Sequence, residues 1–239
     1  MIRRFLAALV LVLVLGGLPV APVRADDPVL APGRDPGGTA VAVLADGFDY
    51  TQPELARILA RDGEGVAIAW DAVDGDARPF AAQAHGTDVA RSAASQGGVR
   101  VVLVRVDARD AASLAKGIGF AAATPAKIIL LMLTEDAKAG LDVLEAAAQR
   151  FEAALIVGSV PKLAPEDAAK AQAANLVLLD AGEKETAAGD VIARALGCAR
   201  GAPASESSAA LKRALLSRLE AEASAGCKPK GDAPEDEKR

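Results

Sequence analysis

Aromatic residues are scarce in this chain. Tryptophan and tyrosine occur once each and phenylalanine five times, 3% of 239 residues in all. Any core must therefore be filled by small aliphatic groups, and alanine is very frequent. Histidine occurs once and cysteine twice, too few and too far apart for the usual four-ligand zinc cluster. Clustered cations are also missing. A formal net charge of −5 argues against nucleic acid as a partner, because phosphate backbones demand basic patches. No G-x-G-x-x-G follows the first apolar run, so no dinucleotide is expected, and nothing else in the chain implies a cofactor. No segment repeats at a fixed period. Beyond the N-terminus no run is apolar enough to cross a bilayer.

The N-terminus itself has the order of an export signal. Arg3 and Arg4 precede the apolar run Phe5–Val20, and Val23-Arg24-Ala25 places small residues where a signal peptidase inspects them. Cleavage after Ala25 is expected. The alternative, an uncleaved anchor, needs a span of roughly 20 residues, which Phe5–Val20 does not reach. Residues 1–25 are thus read as a leader, 26–38 as an extended lead-in rich in Pro and Gly, 39–225 as one domain, and 226–239 as a charged, disordered tail. The mature protein is expected in the periplasm or outside the cell, free of the membrane. In such a compartment Cys198 and Cys227 are expected to join, against the alternative of two free thiols.

Short apolar runs alternate with longer helical patterns. The runs are Thr39–Ala45, Val66–Trp70, Val99–Val106, Lys127–Leu133, Ala154–Val160 and Asn175–Leu179. They are rich in Val, Ile and Leu with little polar alternation, as strands buried on both faces are. Helical patterns cover Pro53–Ala60, His85–Ser95, Ala111–Ala123, Leu141–Phe151, Pro165–Ala173, Thr186–Ala199 and Ser205–Ala225. This alternation predicts an α/β fold of three layers, a mostly parallel sheet with helices on both faces. Leu211, Leu215, Leu216 and Leu219 form a stripe that reads as core. Ser205, Ser207 and Ser208 stand where serines cap a helix.

Two ordered segments carry a resemblance. The first runs Val41-Ala42-Val43-Leu44-Ala45-Asp46-Gly47-Phe48-Asp49-Tyr50-Thr51-Gln52-Pro53-Glu54-Leu55. The second runs Trp70-Asp71-Ala72-Val73-Asp74-Gly75-Asp76 and then His85-Gly86-Thr87-Asp88-Val89-Ala90. Together they resemble the subtilisin-like serine proteases, whose first strand reads Val-Ala-Val-Leu-Asp-Thr-Gly and whose histidine opens His-Gly-Thr-His-Val-Ala-Gly. Fainter similarity continues through Val101–Val106, Gly117-Ile118-Gly119-Phe120-Ala121, Ile128–Leu133, Ala187-Ala188-Gly189-Asp190-Val191 and Ala209–Leu219.

The resemblance implies a triad of aspartate, histidine and serine, in which the serine attacks, the histidine takes its proton and the aspartate orients the ring. His85 falls on the histidine. Ala45 falls on the aspartate, and Glu185 falls on the serine. Asp46 could replace the lost acid only through a local bulge, since neighbouring strand residues point to opposite faces. The turn that supplies an oxyanion donor in the family reads Gly158-Ser159-Val160-Pro161 here, without its asparagine. The expectation is an exported pseudoprotease that binds peptide or protein in a remnant cleft. The rivals are an active serine-type hydrolase that uses His85 with another nucleophile, and an interaction protein without cleft function. Asp71, Asp74 and Asp76 could ligate calcium, although a solvated loop is the simpler reading.

Overall fold

The computed structural model describes residues 27–82, 85–134, 138–169, 171–182, 186–197 and 213. Six strands form one sheet: β1 Thr39–Ala45, β2 Ala69–Asp71, β3 Val99–Arg105, β4 Ile128–Met132, β5 Leu155–Val160 and β6 Leu176–Asp180. Their order is β2-β3-β1-β4-β5-β6 and every pairing is parallel. Among the described residues six helices alternate with them: α1 Pro53–Ala56, α2 Gly86–Ala93, α3 Ala111–Ala122, α4 Lys138–Arg150, α5 Pro165–Ala168 and α6 Ala187–Gly197. The expected three-layer α/β architecture is present.

The centre of the sheet has no water-facing side. Val41, Ala42, Val43 and Leu44 of β1 are all fully buried. Alternate residues divide between two cores. Val41, Val43, Leu103, Leu130 and Val157 pack with Leu55 of α1, Val89 and Ala93 of α2 and Ala188 and Ile192 of α6. Leu44, Val104, Ile129 and Ile156 pack with Leu114 and Ile118 of α3 and Leu144 and Ala148 of α4. Each fully buried Leu or Ile contributes roughly 1.5–3 kcal/mol. With so few aromatics, the number of such side chains substitutes for their size.

Four expected elements shift by three residues or more, among them α4, which begins at Lys138 rather than Leu141. Helix α1 stops at Ala56 rather than Ala60, because residues 58–60 pair with β3 instead. The Val101 N–H donates to the Ile58 carbonyl and the Ala60 N–H to the Val101 carbonyl. Strand β2 starts at Ala69 rather than Val66. The chain there folds back on itself, with the Asp62 N–H donating to the Val66 carbonyl. Helix α5 ends at Ala168 rather than Ala173.

The lead-in is a docked strap. The Tyr50 hydroxyl donates to the Pro28 carbonyl at 2.8 Å, and Leu30 packs on the α2-side core. The Arg61 guanidinium donates to Ala31 O at 2.8 Å, and the Gly33 N–H donates to Gly65 O. Asp35 ties the far end. Its carboxylate accepts from the Arg61 N–H, the Gly37 N–H and the Arg100 guanidinium, at 2.7–2.8 Å. Burial on its own would raise the Asp35 pKa, but those three donors outweigh it and hold the carboxyl below its ordinary value.

A depressed native pKa contributes stability that is present above the unfolded carboxylate value and is lost as pH falls through the native one. Asp35→Ala should therefore cost about 1–3 kcal/mol near neutral pH, the usual loss for hydrogen bonds to a charged group. The difference from wild type should shrink below about pH 4, where the carboxylate of the wild type protonates. Urea denaturation across pH checks this. A constant difference at all pH values would mean that Asp35 is not the latch.

Candidate functional site

The parallel registers align one residue per strand into a row at the C-terminal ends of the strands. Asp71 pairs with Arg105 and Arg105 with Ala45. One step beyond the Leu44–Leu131 pair, Ala45 lies beside Met132. Met132 then pairs with Ser159 and Ser159 with Leu179. Strand alternation puts all six on the face covered by α2 and α6. This edge is where open α/β sheets hold ligands.

Helix α2 begins at the row. His85 is the residue before α2 and is itself exposed. Behind it, α2 lies almost in backbone contact with β1. A Cβ added to Gly86 would fall 2.4 Å from the Gly47 oxygen, 2.7 Å from the Ala45 Cβ and 2.8 Å from the Phe48 ring. Helix α6 is seated on α2 in the same manner. A Cβ on Gly189 would lie 2.8 Å from the Val89 oxygen, and the Ser92 hydroxyl donates to the Asp190 carboxylate. The structure thus brings the His85 end of α2 against Ala45, with α6 alongside. Glu185, Cys198, Cys227 and Ser205, Ser207 and Ser208 lie outside the described residues.

Asp46 does not take the place of the missing acid. The β1–β3 register runs one to one from Thr39 to Ala45, with no bulge to turn Asp46 inward, and Asp46 is exposed. Ala45 is 3% exposed and offers only a methyl group to the start of α2.

The turn after β2 is exposed at Val73, Asp74 and Gly75, but the carboxylate that leads into it is not. Asp71 is wholly buried. One of its oxygens accepts from the N–H groups of Val73 and Asp74, and the other lies 2.8 Å from the Arg105 guanidinium. Asp74 shares the same guanidinium nitrogen at 2.8 Å, and Asp76 accepts from the Arg78 N–H. Arg105 also donates from Nε to the Asp46 carbonyl. The cation that Asp71 and Asp74 face is the Arg105 guanidinium. Among the described residues no three His, Cys, Asp or Glu side chains form a metal-binding group.

Ser159 was not a candidate on sequence grounds, where the missing asparagine drew attention instead. It is fully buried, and its hydroxyl has no hydrogen-bond partner. Buried hydroxyls are rarely left unpaired, and such exceptions concentrate where a ligand or water completes them. Its position in the strand-end row was the available signal, but the row exists only once the register is known.

No protein-family model matches the chain, and no curated protein matches it either.

Two substitutions test this geometry. Arg105→Ala should destabilise by about 3–5 kcal/mol, because it leaves the buried Asp71 carboxylate without its cation. Gly86→Ala should cost about 1–3 kcal/mol through overpacking, since its nearest obstacle is backbone rather than a flexible side chain. Thermal and urea melts check both. Neutral effects would show that the edge is looser than described.

Proposed function

We propose that this is an exported protein of subtilase type in which catalysis has lapsed, and that it holds a peptide or protein segment along the strand-end row. One observation carries the reading. The start of α2, with His85, abuts the end of β1, and the side chain there is the methyl of Ala45. Ala45 has no carboxylate with which to play the part of the family's aspartate. The sequence match also leaves Glu185 where a nucleophile is required. In subtilisin, loss of the nucleophile alone costs about 2 × 10⁶ in kcat.

The unpaired Ser159 hydroxyl is the one feature that favours a working hydrolase. It lies two strands from Ala45, a separation of roughly 10 Å at the usual strand spacing. A nucleophile needs its base within about 2.6–3.2 Å. The hydroxyl is also fully buried, which closes it to a substrate carbonyl.

The protein secreted from its host and purified should begin after Ala25, fail to cleave unfolded casein and resist labelling by a fluorophosphonate probe. It should bind members of a peptide library. Intact-mass measurement reads the first point, and gel-based assays read the next two. Labelling of any serine, or casein cleavage that His85→Ala abolishes, would replace this reading with that of an active hydrolase.

A further inference from the structure

A short path of contacts joins the strap to the start of α2. At the strap's first residues the Tyr50 hydroxyl donates to the Pro28 carbonyl at 2.8 Å, and the Arg78 guanidinium reaches the Asp27 carbonyl at 3.5 Å. The Tyr50 ring stands edge-on to Phe80, with ring centroids 5.4 Å apart. Phe80 is bridged in turn to Phe48. The Phe48 N–H donates to the Pro79 carbonyl, and the Ala81 N–H donates to the Phe48 carbonyl. The Phe48 ring is one of the three obstacles around Gly86, the residue after His85. Residues 78–82 thus connect the strap to the α2 start, and His85 follows them closely in the sequence.

The two ends of this path are held by different forces. Phe48 is wholly buried, as are Leu55 and Val89 around it. In the strap Val29 is 73% exposed, Ala31, Pro32, Gly33 and Arg34 are exposed, and Leu30 is only partly buried. The strap is therefore attached by a series of hydrogen bonds rather than by buried apolar area. Elements attached in that way open locally, at a lower free energy than the core beneath them. Burial, and after it the Asp27 charge, push the Tyr50 pKa up to about 12, so the hydroxyl keeps the proton it donates to the strap across the physiological range.

We propose that the strap is a clamp on residues 78–82, and through them a positioning device for the His85 edge. Docked, it holds Tyr50 against Phe80 and keeps the Phe48–Phe80 bridge packed beside the start of α2. Released, it leaves Tyr50 without its acceptor, lets 78–82 move away from Phe48 and loosens the edge. This inference rests on the contact path and not on the peptide-binding reading.

Contact alone does not establish coupling, so both ends of the path are read together. The test uses the purified full chain, whose single histidine gives one imidazole resonance. Tyr50→Phe removes the hydroxyl and keeps the ring. Leu30→Ala loosens the strap from its own side. In each variant hydrogen exchange, read by mass spectrometry, should quicken roughly two- to tenfold in residues 27–34 and in 78–82 alike, the effect of losing about one hydrogen bond. Strands β1, β3 and β4 should keep their rates, and the His85 imidazole resonance should move. Thr124→Ala is the control. It removes hydrogen bonds before β4, at the other end of the sheet, and should leave the imidazole in place. Faster exchange in the strap with 78–82 and the imidazole unchanged would overturn the clamp. Equal acceleration throughout the sheet, an equal response to Thr124→Ala, or no acceleration in either strap variant would overturn it too. If Tyr50→Phe does not fold, Leu30→Ala decides by the same readings. None of these measurements involves a peptide, so failure here leaves the proposed function standing.

Discussion

The constraint on which the strand-end row depends is the approach of α2 to the end of β1. Gly86 has no side chain, Ala45 has a methyl, and Gly47 turns away with φ of 141°, a conformation side chains resist. Three minimal residues let a helix start lie against a strand end at backbone distance. That contact fixes where His85 stands. It also sets the height of α2 above the sheet, and α6 is in turn seated on α2 through Gly189. The edge is therefore assembled by contacts that exclude bulk, so shape rather than charge locates its parts.

Charge enters at the flank. Asp71 is wholly buried, and a buried carboxylate is tolerable only when paired and hydrogen-bonded. The pairing here is complete, with two backbone donors on one oxygen and a guanidinium on the other. Because Arg105 ends β3 and Asp71 ends β2, the ion pair also pins the short edge strand to its neighbour. Strand β2 has only three residues, and a ladder that short gains much of its definition from what holds its last residue.

The architecture was legible because its signal is repeated. Runs such as Val99–Val106 and Lys127–Leu133 carry so little polar alternation that only a sheet covered on both sides accommodates them. Boundaries were less legible where tertiary pairing overrode local preference. The Pro53–Ala60 pattern is helical by periodicity, yet residues 58–60 gain more by pairing with Val101 than by extending α1. The strap was hidden for a different reason. Pro and Gly mark 26–38 as extended, but nothing local reveals that Tyr50, Arg61 and Arg100 hold it. At the site, the ordered spacing from Ala45 to His85 foretold which segments would meet. It did not foretell the row, which is a property of register. Hence Ser159 was missed, and so was the pairing of Asp71 and Asp74 with Arg105, which lies on the next strand and far along the sequence.

The row also explains why a methyl group at position 45 suits the rest of the edge. Ala45 and Arg105 are paired residues on adjacent strands with side chains on one face. Arg105 leans across to Asp71 and Asp74 and donates backward to the Asp46 carbonyl, so its donors are directed around Ala45 rather than at it. A carboxylate at 45 would be a third acid beside one guanidinium and would compete for it, drawing Arg105 from the buried Asp71. Leaving Asp71 unpaired is the costlier outcome, because it alone is wholly removed from water. The electrostatics of this edge are thus organised around the absence of an acid on β1. An acid introduced at position 45 would therefore disturb the pairing that holds the end of β2 to β3.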